Sequence, residues 1–195
     1  NFIINMKKII KKHIFEHRVI LDSIVDLDES IEEAAKLLIN CLKNSGTVFW
    51  CGNGGSASDT QHLAGELVGR FVGDRKPLKS IALTADSAVM TCIVNDYGYK
   101  HIFSRQIEAL GVETDVLVGI STSGNSENVI QAFKIAKERG ITTIGLLGKG
   151  GGGASALVNQ SIIVPSKSTA RIQEMHILIG HILCDLIEEG LSLKK

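Results

Sequence analysis

The sequence predicts an α/β fold in which a parallel β-sheet is covered by helices on both faces. Two features carry this. Beyond Gly46, five short β-branched, apolar runs (47–51, 80–84, 115–120, 142–147 and 161–164) alternate with helix-type patterns. Each polar, glycine-containing segment of note falls just after such a run, where parallel sheets bind ligands near a switch in strand order. The 195 residues suffice for one well-buried domain, with helices over 6–45 and a doubly wound core over 46–190.

Taking the elements in order, residues 6–45 predict two helices. Ile10, Ile14 and Leu21 recur near helical spacing, and a turn follows around Asp26–Asp28. Ser30-Ile31-Glu32-Glu33 fits a capping box, and Ile31, Ala35, Leu38 and Leu42 form an apolar stripe that Gly46 ends. Two helices before the first strand exceed what a βαβ unit needs. They either add cover to the sheet or form an arm that packs against another subunit. Further helices are expected at 56–70, 86–95, 102–110, 125–139, 153–159 and 169–189. Gly148–Gly153, reading GKGGGG, looks like a flexible loop. It lacks the Lys-Ser/Thr ending of a nucleotide-binding P-loop.

Composition narrows the function. Hydrophobic content is 44% and formal net charge is zero, as in a soluble globular protein with no electrostatic reason to bind nucleic acid or anionic membrane. Apolar runs stay at strand length, far short of a bilayer span, and no signal-peptide pattern opens the chain. Cys41, Cys51, Cys92 and Cys184 form no C-x-x-C pair. They read as buried thiols in a reducing cytoplasm, the expected location.

Four segments could carry chemistry. Gly52-Asn53-Gly54-Gly55-Ser56-Ala57 fits the loose dinucleotide fingerprint, but no acidic residue ends the second strand to hold a ribose. No nucleotide cofactor is therefore expected; the turn suits a smaller polar ligand, held by Asn53 and backbone N–H groups. Ser121-Thr122-Ser123-Gly124-Asn125-Ser126 places four hydroxyls at a helix start, which suits a phosphate monoester. His62 and Glu66 are four apart on one helix face, as a surface ion pair, an acid–base pair or two metal ligands. On the last helix, Gln173 and His181 are eight apart, roughly 12 Å along a straight axis, so they reach a shared ligand only from different levels. His176 lies on another face, where a packing or surface role is its default. Asn95-Asp96-Tyr97-Gly98 by itself reads as a helix stop.

Together, GNGGSASDTQHLAGEL, Asn95-Asp96, STSGNSENV and RIQEMHILIGH resemble the phosphoheptose isomerases of the sugar isomerase (SIS) superfamily, over about residues 30–190. The resemblance implies a three-layer αβα sandwich with a five-stranded parallel sheet, and a homotetramer with active sites shared between subunits. It implies isomerisation of sedoheptulose 7-phosphate to D-glycero-D-manno-heptose 7-phosphate, the first step toward nucleotide-activated heptose for lipopolysaccharide core or capsule. Carried over by position, Asn53, Gly54, Gly55, Asn95, Asp96 and Gln173 contact the sugar. Ser121, Thr122, Ser123 and Ser126 bind its phosphate, and Glu66 and His181 form the acid–base pair. Zinc would lie on His62, Glu66, Gln173 and His181. The rival within the superfamily is a non-catalytic protein that binds a replication initiator or senses a sugar phosphate. Retention of Glu66, His181 and the full serine loop favours the enzyme.

Overall fold

The computed structural model describes residues 5–193. The main elements run α1 (Met6–Ser23), α2 (Asp28–Lys43), β1 (Val48–Gly52), α3 (Gly55–Val68), β2 (Ser80–Ala82), α4 (Ser87–Tyr97), α5 (Ser104–Leu110), β3 (Val116–Ser121), α6 (Glu127–Glu138), β4 (Thr142–Gly148), β5 (Gln160–Val164) and α7 (Thr169–Gly190). The five strands form one sheet, all parallel, in the order β2-β1-β3-β4-β5. Strand order reverses beside β1, because β2 lies on one side of it and β3 on the other. The carboxyl ends of β1 and β3 are therefore neighbours, with Gly52 in register with Ile120. The crevice of this sheet opens there.

Burial on both faces explains the continuous apolar strands. Side chains alternate across a strand, so Val48 and Trp50 of β1 face α2, α3 and α7, while Phe49 and Cys51 face α5 and α6. The result is a three-layer αβα sandwich preceded by α1. Trp50 is fully buried and donates its indole N–H to Ser80 Oγ at 2.8 Å. Gly180 lets α7 approach α3: a Cβ there would lie 2.6 Å from Leu63. That contact brings the following residue, His181, onto the face of α3 that carries His62.

Several expectations are corrected. No capping box forms at Ser30–Glu33. The chain enters α2 from a 3₁₀ turn over Ile24–Leu27, so the helix has begun by Asp28 and Ser30 lies inside it. Glu32 and Glu33 instead pair with Lys36. The left-handed residue after α2 is Ser45 (φ 61°), not Gly46, whose missing Cβ would sit 2.2 Å from the Thr114 carbonyl. The segment expected as a helix over 153–159 is a 3₁₀ helix, Gly152–Leu157. Cys41, Cys51 and Cys184 are buried but Cys92 is exposed on α4; all four thiols are free. Burial pushes the Cys41 and Cys184 thiols up to about 12.

The Ile10, Ile14 and Leu21 stripe is not packed inside the chain. These residues are exposed, and α1 has no buried residue. It is held by polar contacts to α7: Arg171 donates to the His13 carbonyl at 2.8 Å, and His17 Nδ1 lies 2.8 Å from Glu174 Oε2. Among the described residues no helix is long and apolar enough to cross a membrane.

Candidate active site

The turn after β1 depends on glycine at two places. Gly54 has φ 56° and ψ −123°, a conformation that L side chains avoid. At Gly55 a Cβ would lie 2.7 Å from Gln173 Nε2, so its absence seats the Gln173 side chain of α7 on the turn. Asn53 is fixed by two partners. Its Nδ2 donates to Asn128 Oδ1 at 2.9 Å, and its Oδ1 accepts from Asn128 Nδ2 at 2.8 Å and from the Tyr99 hydroxyl at 2.6 Å. Its amide keeps one N–H for a ligand.

The serine loop leaves β3 at the adjacent position. Ser121 Oγ is 3.0 Å from Ser126 Oγ and accepts from Gly124 N–H at 3.1 Å. Ser123 Oγ accepts from Asn125 N–H at 3.1 Å. Four hydroxyls thus gather ahead of α6, whose N-terminal dipole favours an anion. The Gly148–Gly153 segment packs against this loop, contrary to the flexible loop expected. Ala154 N–H donates to the Gly124 carbonyl and Gly153 N–H to Asn125 Oδ1, both at 2.9 Å. Gly150, Gly151 and Gly152 all have positive φ, and a Cβ on Gly124 would fall 1.9 Å from the Gly151 carbonyl oxygen. Glycine serves here for backbone-to-backbone approach.

His62 and Glu66 of α3 meet His181 of α7. His62 Nε2 lies 3.0 Å from Glu66 Oε1 and 3.3 Å from His181 Nε2. The His181 ring stacks on Phe71, with centroids 5.5 Å apart and planes inclined by 23°. One ligand atom from each of His62, Glu66 and His181 lies within 4.8 Å of the other two. Two imidazole nitrogens and a carboxylate oxygen thus face one point. The three could hold a metal ion, and their donor types suit one that accepts nitrogen and oxygen ligands. Gln173 lies against Gly55, two turns before His181 on α7.

The SIS domain family matches residues 14–148. The phosphoheptose isomerase of Campylobacter jejuni serotype O:6 is 52% identical over 185 residues, 95% of this chain and all of that one. The structure of the Neisseria gonorrhoeae phosphoheptose isomerase GmhA superposes with a TM-score of 0.91 at 44% identity, covering 95% of this chain and 100% of the other. That of the Francisella tularensis phosphoheptose isomerase has a TM-score of 0.92 at 37% identity, with the same coverage. This chain belongs to the phosphoheptose isomerase family, within the SIS-domain proteins.

As a phosphoheptose isomerase family member the chain is an isomerase, and residues that sequence reasoning missed lie against the candidate site. Tyr99 and Asn128 lock Asn53; the available signal was Asn128, a poor helix former in the first turn of α6 and almost fully buried. Asp59 lies one turn before His62 on α3, and its buried Oδ2 has no hydrogen-bond partner among the described residues. Burial pushes its carboxyl above the usual range, while charge on His62 and His181 pulls the other way. Its three-residue spacing from His62 was the signal. Asn95 and Asp96 are exposed at the end of α4, with Asn95 Nδ2 donating to Asp96 Oδ1 at 2.7 Å. Of the packing and surface roles open to His176, the structure takes the first: it is fully buried and donates Nε2–H to the Leu147 carbonyl at 3.0 Å.

Proposed function

We propose that this chain converts sedoheptulose 7-phosphate into D-glycero-D-manno-heptose 7-phosphate through a cis-enediol. That reaction opens the route to nucleotide-activated heptose for lipopolysaccharide core or capsule. The observation that carries the reading is the meeting of Glu66, His62 and His181 at one point. The 52% identity to the Campylobacter enzyme supports the substrate class.

In this mechanism Ser121, Thr122, Ser123 and Ser126 bind the phosphate at the positive end of α6. Asn53, Gly54, Gly55, Asn95, Asp96 and Gln173 hold sugar hydroxyls. The Glu66 carboxylate takes the proton from C1 and returns it to C2. His181 carries the proton that moves between O1 and O2. His62, Glu66, Gln173 and His181 would hold zinc. Zinc bound there would act as a Lewis acid on the substrate oxygens.

The site is open to solvent in one chain: the His62 side chain is 47% exposed and that of Glu66 24%. A homotetramer that covers the apolar face of α1 and shares its active sites between subunits would exclude this water and strengthen the electrostatics inside. Unpaired thiols are consistent with work in the cytoplasm.

The test is NMR of the purified protein with sedoheptulose 7-phosphate in deuterated buffer, with chelator and with added zinc. Expected is a new aldose 7-phosphate carrying deuterium at C2, lost with chelator and restored by zinc. A folded protein that binds the sugar phosphate but never converts it overturns the enzyme reading and favours a sensor.

A further inference from the structure

The segment joining α3 to β2 has no regular structure over residues 69–76, yet it is anchored at one buried carboxylate. Glu188 Oε1 accepts from Phe71 N–H at 3.1 Å, and Oε2 accepts from Val72 N–H at 3.1 Å and Gly73 N–H at 2.9 Å. Arg75 Nε donates to Glu188 Oε1 at 2.7 Å, and the two side chains are 1% and 0% exposed. The other guanidinium nitrogens turn back on α3. One donates to the Leu67 carbonyl and the other to the Glu66 carbonyl, both at 2.8 Å. These are carbonyls of the last helical turn, which lack intrahelical donors. A cation there also suits the negative end of the helix.

The anchor returns to the candidate active site by two routes. Arg75 holds the backbone of Glu66 itself. Glu188 lies seven residues after His181, two turns along the same face of α7, and the loop it gathers lays Phe71 against the His181 ring. Backbone from α3, a ring from the loop and an imidazole from α7 are thus locked into one circuit. Packing of this kind is what keeps a ring in the geometry that catalysis needs.

We propose that Phe71, Arg75 and Glu188 are positioning residues for the acid–base pair. Phe71 holds the plane of the His181 ring so that Nε2 faces His62. Arg75 holds the Glu66 turn of α3, and Glu188 fixes both to α7. The proposal rests on the reading of Glu66 and His181 as that pair.

The deciding experiment compares Phe71→Leu, Phe71→Tyr and Glu188→Gln in the full chain. It combines thermal melts, steady-state kinetics with sedoheptulose 7-phosphate and ¹⁵N NMR of the His181 imidazole. Phe71→Leu is expected to fold, to lose kcat by about 10–100-fold with KM little changed, and to change the tautomer pattern or line width of His181. Phe71→Tyr keeps a stacking ring and should restore both. Glu188→Gln should reproduce the loss; if it fails to fold, Phe71→Leu decides alone. Wild-type kcat with unchanged His181 resonances in Phe71→Leu overturns the proposal, and so does a loss confined to KM. If the wild-type protein shows no isomerase activity, the functional reading fails while the imidazole spectra still decide whether Phe71 orients His181.

Discussion

The serine loop after β3 and the His–Glu cluster between α3 and α7 are built on opposite plans. The loop is local. Its hydroxyls and backbone groups bond within six residues of one another, and a second loop of glycines braces it from behind. The cluster is assembled from helices whose contact residues, His62 and His181, are 119 positions apart. Its three ligand atoms face each other within 4.8 Å and are open to solvent. In the proposed mechanism the loop is the phosphate anchor, and an anchor gains from being finished before the ligand arrives, because no ordering remains to be done on binding. The proposed acid–base groups, by contrast, stay open for a substrate to complete.

The largest expected effect separates the two regions directly. Glu66→Gln should lower kcat by about 10²–10⁴-fold while the affinity for sugar phosphate, measured by calorimetry, stays near that of wild type. Parallel loss of both would mean that the cluster also anchors the ligand.

Next comes the bond that links them. His176 of α7 donates to Leu147 at the end of β4, the strand leading into the glycine brace. Burial drives its pKa down from 6.5 to about 4, against the Leu147 bond, which favours the protonated ring. The unfolded chain therefore binds this proton first. Stability is full above pH 6.5 and falls as pH drops toward 4, by on the order of 3 kcal/mol for a buried group with this shift. Glu188 then follows. Burial raises its pKa, but three backbone N–H groups and Arg75 outweigh that and hold it at about 2, so its contribution is lost from pH 4.5 downward. Denaturant melts across pH should give a His176→Gln variant whose stability falls less steeply than wild type between pH 6.5 and 4.5, above the range where Glu188 takes over. An unchanged slope would assign that titration to another group.

Smaller effects test the loop. Gly124→Ala puts a Cβ on a residue at φ 64° and into the Gly151 carbonyl, so it should weaken sugar-phosphate binding by about tenfold or more, with kcat at saturation less affected. Ser123→Ala removes a single neutral hydrogen-bonding group, and KM should rise only by about threefold to tenfold. A larger change in kcat than in KM for either variant would erase the contrast between the two regions.

How much of this was legible in the sequence follows the same division. The sheet, the glycine turn and the serine loop are contiguous stretches, so reading them in order was sufficient to place them in the fold. The carry-over of His62, Glu66 and His181 named residues that the fold does bring together, yet spacing alone left them open. Whether two helices meet is decided by Gly180 against Leu63, a contact that no periodicity reports. Phe71 and Tyr99 were invisible for the same reason: each acts from a segment without helical or strand pattern. The glycine run was misread because composition suggests freedom, whereas here small residues permit close approach. The Ser30 capping box failed because the signal was sound locally but a preceding 3₁₀ turn had already begun the helix.

The clash that a Cβ at position 124 would make is with a carbonyl oxygen, an atom that every amino acid at position 151 carries. A side-chain clash can be relieved by shrinking its partner; this one has no such remedy. Genetic suppressors of Gly124→Ala would therefore have to change the length or path of the 148–153 segment. The stretch that most resembles a spacer is the one whose residue count is least free to drift.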